Sequence, residues 1–382
     1  MKITAKQASL MGLPAPRLIR DHKVSRLIIK MRDGSQMVSA QQVTGFVRSA
    51  GVSAKSAKII SGDVTMLTLD TPVSIAEANA MAARLAGDSS VEYAEPDFVL
   101  RPFLVPNDPE FTTKQWNLLE PSATYSGALA VTPAVPPRTA PAAGAINMPT
   151  AWDITTGSAS VVIAIIDTGI TNHPDLNGEP TTTPQYMPGT GGRFLQGYDF
   201  ISLDTIQGGA AASFRAGDGN GRENNPTDDG DATSAADKTN FPDDCDDNER
   251  DVNGNPTNSP DSLHGTLTAG VAAASSNNNS LIAGVAWAAK ILPVRAIGRC
   301  GGSMTDMADA IRWSAGLPVT GVTDNPTANI AKIIYVGAGT VPVPGVACGP
   351  TLQNAIDAAI AAGSVVIAPT GNHGELNLSS PA

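Results

Sequence analysis

Three short stretches of this 382-residue sequence end in residues able to do chemistry. In the first, SVVIAII (160–166) runs directly into Asp167-Thr168-Gly169. A carboxylate placed there leaves the C-terminal edge of a buried strand, where ligand sites form in parallel sheets, and Gly169 lets the chain turn sharply. In the second, LHGTLTAGVAAA (263–274), His264 and Gly265 open a helix of small residues. A histidine at that entrance exchanges a proton near neutral pH and can be oriented by a carboxylate from another strand. The third, GSVVIAPTGN (363–372), is an apolar strand ending in Gly371-Asn372. A side-chain amide projected from such an end can donate to negative charge developing on an oxygen, an effect worth about 3–4 kcal/mol.

Each signal alone has a plainer reading. Asp167 can cap the turn after its strand, His264 can cap its helix or bond within the core, and Gly371-Asn372 can simply make a turn. Only as an ordered set do Asp167, His264 and Asn372 describe acyl transfer. Asp-Thr-Gly also serves sites where two carboxylates share a proton, but no second copy is present. A separate acidic stretch contains Asp218-Gly219-Asn220-Gly221, then Asp228, Asp229 and Asp231. Oxygen ligands in a glycine-containing loop suit calcium better than zinc, which makes Asp218, Asn220, Asp228 and Asp231 candidate ligands, with a solvated loop as the alternative. His22, His173, His264 and His373 lack zinc-site spacing.

Positioning these residues requires a sheet. The apolar run before Asp167 reads as a strand covered on both faces. Further strands are expected at 290–296, 331–336 and 364–368, alternating with helices at 264–274, 304–315 and 351–362. That alternation predicts an open α/β sheet with right-handed crossovers. Ser303 and Asp306 mark one helix start, Gly316 and Pro318 its end, and Thr351 is the expected cap of another. The stretch 199–262 reads as a long surface insertion with little regular structure. Upstream, residues 23–101 spell a small domain in the order β-α-β-β-α-β, a ferredoxin-like arrangement. Its clearest helix is SIAEANAMAARL, capped by Ser74 with Glu77 three positions on. Residues 1–22 are expected to be irregular. Between the two, 102–149 is rich in Pro and Ala and reads as a linker crossing a surface.

The ordered set, behind such a domain, resembles the subtilisin-like serine proteases. VVIAIIDTGITNHPDL matches the family's aspartate motif, HGTLTAGVAA its histidine motif and VVIAPTGN its oxyanion-asparagine region. GVAWAAKILPVRAIGRCGG, DMADAIRWSAGLPV and VPNDPEFTTKQWNL support the likeness. It implies a subtilisin-like catalytic domain over 150–382, an inhibitor propeptide over 23–101 and a processing region within 102–149. It also implies roles: Asp167 orients the histidine, His264 is the general base, Asn372 is an oxyanion donor, and Gly337, Ala338 and Gly339 form the substrate-binding edge. Cys300 and Cys348 resemble a disulfide pair of related secreted proteases, which leaves Cys245 unpaired. The chain departs from the family at Leu267-Thr268, at Gly337-Ala338-Gly339 and at Pro369-Thr370. The family's nucleophile motif, Gly-Thr-Ser-Met-Ala, does not occur, so the catalytic domain is expected to be C-terminally incomplete. Gly302-Ser303-Met304 reads as a helix start.

Composition narrows the partners. Only 16% of residues are charged and the formal net charge is -11, which argues against a nucleic-acid surface. No apolar run reaches the ~18 residues of a membrane span. With Gly 37 and Pro 29, a mostly helical protein is excluded. The first 24 residues lack a signal-type apolar core of ~7–15 residues, so secretion is an expectation from the family alone. The expected partners are a peptide or protein substrate and the chain's own propeptide. The expected function is a serine endopeptidase precursor. The alternatives are a pseudoprotease or peptide-binding module without acyl-enzyme chemistry, and a calcium-stabilised structural module.

Overall fold

A computed structural model of the chain describes residues 23–32, 40–61, 64–98, 104–121, 124–127, 138–141, 144–178, 186, 193–202, 212–219, 221–241, 245, 251, 253–339 and 349–370. Two compact units divide between Pro102 and Phe103.

The first unit comprises β1 (Val24–Met31), α1 (Ala40–Ser49), β2 (Ala54–Ser61), β3 (Val64–Val73), α2 (Ile75–Ala86) and β4 (Val91–Pro96). Its sheet order is β2-β3-β1-β4 with antiparallel pairs, the ferredoxin-like arrangement. Alternation builds the core: β1 buries Leu27, Ile29 and Met31 and turns the intervening residues outward. Helix α2 begins as its sequence dictates, with the Ser74 side chain accepting from the Glu77 N–H at 3.2 Å, and it buries Ala78, Ala82 and Leu85.

The second unit opens with α3 (Phe111–Lys114), the ribbon β5 (Thr124–Gly127) and β6 (Arg138–Pro141), and α4 (Met148–Trp152). Here the expectation of a loose linker over 102–149 is corrected for the described residues. Phe111 and Leu118 are buried with Trp152 and Ala283, and the Gln115 amide bonds both ways with the Ala283 backbone, at 2.7 and 2.8 Å. A few large apolar residues anchor a segment whose average composition reads as disordered.

Next come β7 (Val162–Asp167), β8 (Tyr198–Asp199), α5 (Ala212–Ala216), α6 (Ala235–Asn240), α7 (His264–Ala273), β9 (Lys290–Arg295), α8 (Met304–Ser314), β10 (Ile333–Val336), α9 (Pro350–Ala361) and β11 (Val365–Ile367). The five strands form one parallel sheet, β11-β10-β7-β9-β8. β7 is central and every residue in it is buried, as a continuous apolar run requires when both faces are covered. One face packs Val162, Ala164 and Ile166 with α8 and α9 residues such as Ile311 and Leu352. The other packs Ile163 and Ile165 against Ala269 and Ala273 of α7. Ser303 caps α8 by accepting from the Asp306 N–H at 3.0 Å. Helix α9 starts one residue earlier than expected: Gly349 occupies the cap position and Pro350 the first turn, so Thr351 is not the cap.

Candidate active site

Register places the carboxylate. Asp167 ends β7 opposite Arg295 of β9, and Gly337 follows the Val336–Ile166 pair on the other side. Asp167 is completely buried, so its charge needs donors. Two are present: the Thr168 N–H at 2.8 Å and the imidazole of His264, whose Nδ1 lies 2.8 and 2.9 Å from the two carboxylate oxygens. An ionised carboxylate only accepts, so Nδ1 carries the proton and Nε2 is left with a lone pair. The hydrogen bond to Asp167 raises the His264 pKa above its ordinary 6.5, against a smaller opposing effect of burial, and the charges of Asp167 and Asp231 add to the rise. Half of the His264 side chain is exposed.

Close approach of three segments makes this pair possible. A Cβ on Gly337 would stand 2.0 Å from Asp167 Oδ2, and one on Gly265 would stand 2.2 Å from the Gly169 carbonyl oxygen. Any side chain at either position would displace the aspartate or the helix that carries the histidine. Gly337, expected at the substrate edge, thus sits against the carboxylate. Ala338 and Gly339 line a cavity of ≈ 250 Å³ with Ile297, Cys300, Ser303 and Met307. Asn372 lies outside the described residues.

Sequence reasoning missed the groups behind the pair. Thr168 Oγ1 donates to Asp228 at 2.7 Å and accepts from the Gly265 N–H at 3.0 Å. Arg295, fully buried, bonds the Thr168 carbonyl through Nε at 3.2 Å and Asp199 through its guanidinium at 2.5 Å. Burial pushes the Asp228 carboxyl up to about 6, with the Thr168 and Gly230 bonds opposing. The Asp-Thr-Gly spelling offered a signal for Thr168, whereas the acidic stretch offered Asp228 only as a candidate calcium ligand.

The calcium set expected at Asp218, Asn220, Asp228 and Asp231 does not come together among the described residues, and Asn220 lies outside them. Asp218 stands 3.6 Å from the Arg295 guanidinium, Asp228 holds Thr168, and Asp231 accepts from Ser262 at 2.6 and 2.7 Å. These carboxylates already have protein partners. Oxygens that fit a hard cation lie elsewhere. Asp108 Oδ1 and Asp175 Oδ2 are buried without a hydrogen-bond partner. Both residues are at most 3% exposed. They converge on one loop, where Asn277 N–H donates to Asp108 at 2.7 Å and the Asn278 amide to Asp175 at 2.8 Å. Burial raises the Asp175 pKa, and the Asp108 charge adds to it. Two such carboxylates suit calcium.

The disulfide expectation is also corrected. Cys300 bonds Cys245, not Cys348, with the two Cα atoms 4.5 Å apart. The turn Gly298–Gly301 holds Cys300 in the left-handed region at φ 62°, where its sulfur meets the acidic insertion. Cys348 lies outside the described residues.

The sequence profile of the subtilase family, peptidase S8, matches residues 158–382. An extracellular protease of Xanthomonas campestris pv. campestris is 36% identical over 358 residues, covering 91% of this chain and 50% of that protein. An extracellular basic protease of Dichelobacter nodosus is 30% identical over 367 residues, covering 92% of this chain and 49% of that protein. The chain therefore spans about half the length of these curated relatives. Among solved structures, that of proteases from Pseudoalteromonas arctica shares 33% identity over 70% of this chain and 59% of its own, at a TM-score of 0.49. With the family profile matching more than half of the sequence around the Asp167–His264 pair, the chain belongs to the subtilase family.

Proposed function

We propose that this chain carries the acid–base pair of a serine endopeptidase precursor. The observation that carries the reading is the contact of His264 Nδ1 with both Asp167 oxygens, at 2.8 and 2.9 Å. Held that way, Nε2 takes the proton of a serine Oγ as it attacks a peptide carbonyl and then delivers that proton to the leaving amine, while the buried carboxylate stabilises the imidazolium. The 382 residues contain no Gly-Thr-Ser-Met-Ala motif, and Ser303 is engaged as a helix cap. The nucleophile is therefore a serine that this sequence does not supply. Asn372 is assigned as the oxyanion donor, and Gly337, Ala338 and Gly339 as the edge that receives an extended peptide. Residues 23–101 are assigned as an inhibitor and folding aid, and the names of the relatives favour action outside the cell.

A fluorophosphonate probe tests the assignment. It should label one serine of a protein that adds the missing motif, and nothing in the purified 382-residue chain. Labelling of the 382-residue chain would overturn the reading.

A structural calcium ion held by Asp108 and Asp175 belongs to the same reading. Its contribution follows from ligand linkage, about 3 kcal/mol at a hundredfold excess over Kd. A chelator should lower the melting temperature of the wild type and leave that of Asp175→Asn unmoved. Equal chelator sensitivity in both would remove calcium from this place.

A further inference from the structure

Helix α7 starts without a capping side chain of its own. Its first N–H groups have no acceptor within the helix, and Leu263 before it is apolar, sits at φ 49° and makes no side-chain cap. The acceptors come from elsewhere. Ser262 Oγ accepts from the His264 N–H at 3.2 Å, and Thr168 Oγ1 accepts from the Gly265 N–H at 3.0 Å. Thr168 is buried and adjoins Asp167, so the residue capping the histidine's helix is chain neighbour to the carboxylate that the histidine contacts.

A hydroxyl has one proton, and here its destination is fixed. It goes to Asp228 Oδ2 at 2.7 Å. Asp228 is itself held, accepting from the Gly230 N–H at 3.0 Å and donating its own N–H to the Ile170 carbonyl at 3.0 Å. Because the carboxylate accepts and the Gly265 N–H donates, the hydroxyl must give to one and receive from the other. The helix start is also pressed onto the turn. A Cβ on Gly265 would lie 3.1 Å from Asp167 Cβ and 2.2 Å from the Gly169 oxygen, so the gap that the cap must hold is narrow.

We propose that Thr168 and Asp228 are positioning residues for the Asp167–His264 pair. The Thr168 hydroxyl, its proton committed to Asp228, caps the histidine's helix in trans and ties it to the turn that bears the aspartate. This rests on reading Asp167 and His264 as the acid–base pair. Thr168 and Asp228 act through placement and make no contact with the imidazole among the hydrogen bonds of the site.

The test uses the 382-residue chain with nitrogen-labelled histidine, followed by NMR. In the wild type, His264 should titrate above 6.5 and show a low-field Nδ1 proton resonance that Asp167→Asn abolishes. Thr168→Val keeps the shape of the side chain and removes the hydroxyl. It should bring the His264 titration down toward 6.5 and erase the low-field resonance. Thr168→Ser should restore both signals. Asp228→Ala, which releases the hydroxyl proton, should move them in the same direction as Thr168→Val, and it decides the matter if Thr168→Val fails to fold. Wild-type titration and resonance in a folded Thr168→Val, or in Asp228→Ala should Thr168→Val not fold, would overturn the proposal and leave the pair standing. A wild type without an Asp167-dependent histidine signal would instead overturn the reading beneath it.

Discussion

Asp167 has no exposed surface while half of the His264 side chain meets solvent, so the state of the pair is read through its histidine. The folded-state pKa of His264 is raised, first by its hydrogen bond to Asp167. A raised histidine contributes stability that is fully present below 6.5 and is lost as pH rises through the folded value. The margin of wild type over Asp167→Asn, followed by urea unfolding, should therefore narrow as pH climbs past neutrality. A constant margin from pH 5 to 9 would contradict the coupling. Asp228 carries a dependence of the same sign in a lower window, because burial lifts its carboxyl from 3.8 to about 6. The folded protein then holds this proton more tightly than the unfolded chain, so its ionisation withdraws stability as pH rises from 3.8 to about 6. Asp228→Asn should lose that dependence, and its stability relative to wild type should increase across this window. Parallel curves for the two proteins would refute it.

At the scale of elements, β7 and α7 were legible in the sequence because each carries its own period. A run of apolar residues with no polar interruption before Asp167 fits a strand buried on both faces, and the small residues after His264 fit a helix lying close to a sheet. What brings their ends together was not legible, since it depends on residues distant in sequence. The family likeness assigns Gly337 to the substrate-binding edge. Its function is steric, because the register of β10 against β7 sets it beside the carboxylate. Likewise, three cysteines permit several pairings, and only the folded turn around Cys300 decides for Cys245. The acidic stretch read as a calcium loop because composition counts carboxylates without showing that Arg295 and side-chain hydroxyls already occupy them. Gly337→Ala tests the steric argument directly. With a Cβ 2.0 Å from Asp167 Oδ2, it should lower stability by about 1–3 kcal/mol and shift the His264 titration. An unchanged titration and unfolding midpoint would mean that the sheet end yields without disturbing the pair.

For the whole molecule, the division at Pro102 and Phe103 separates the core of the first unit from those of the second. Leu27, Ile29, Leu67 and Leu85 are fully buried within the first, and the disulfide lies wholly within the second. Cys245 belongs to an insertion with few regular elements among its described residues, and Cys300 to a turn lining the cavity beside Ala338 and Gly339. The bond closes a sequence separation of 55 residues. In the chain-entropy account, a loop of that length restrains the unfolded state by about 4 kcal/mol. The restraint acts on the second unit alone, since its reference is the unfolded chain between those two cysteines. Reduction, or the double substitution Cys245→Ser and Cys300→Ser, should lower the stability of the second unit by up to that amount. Hydrogen-exchange protection in β1 to β4 should stay as it was. Protection lost equally in both units would mean that they unfold as one, and an unmoved midpoint in the second would mean that the insertion holds its place without the bond.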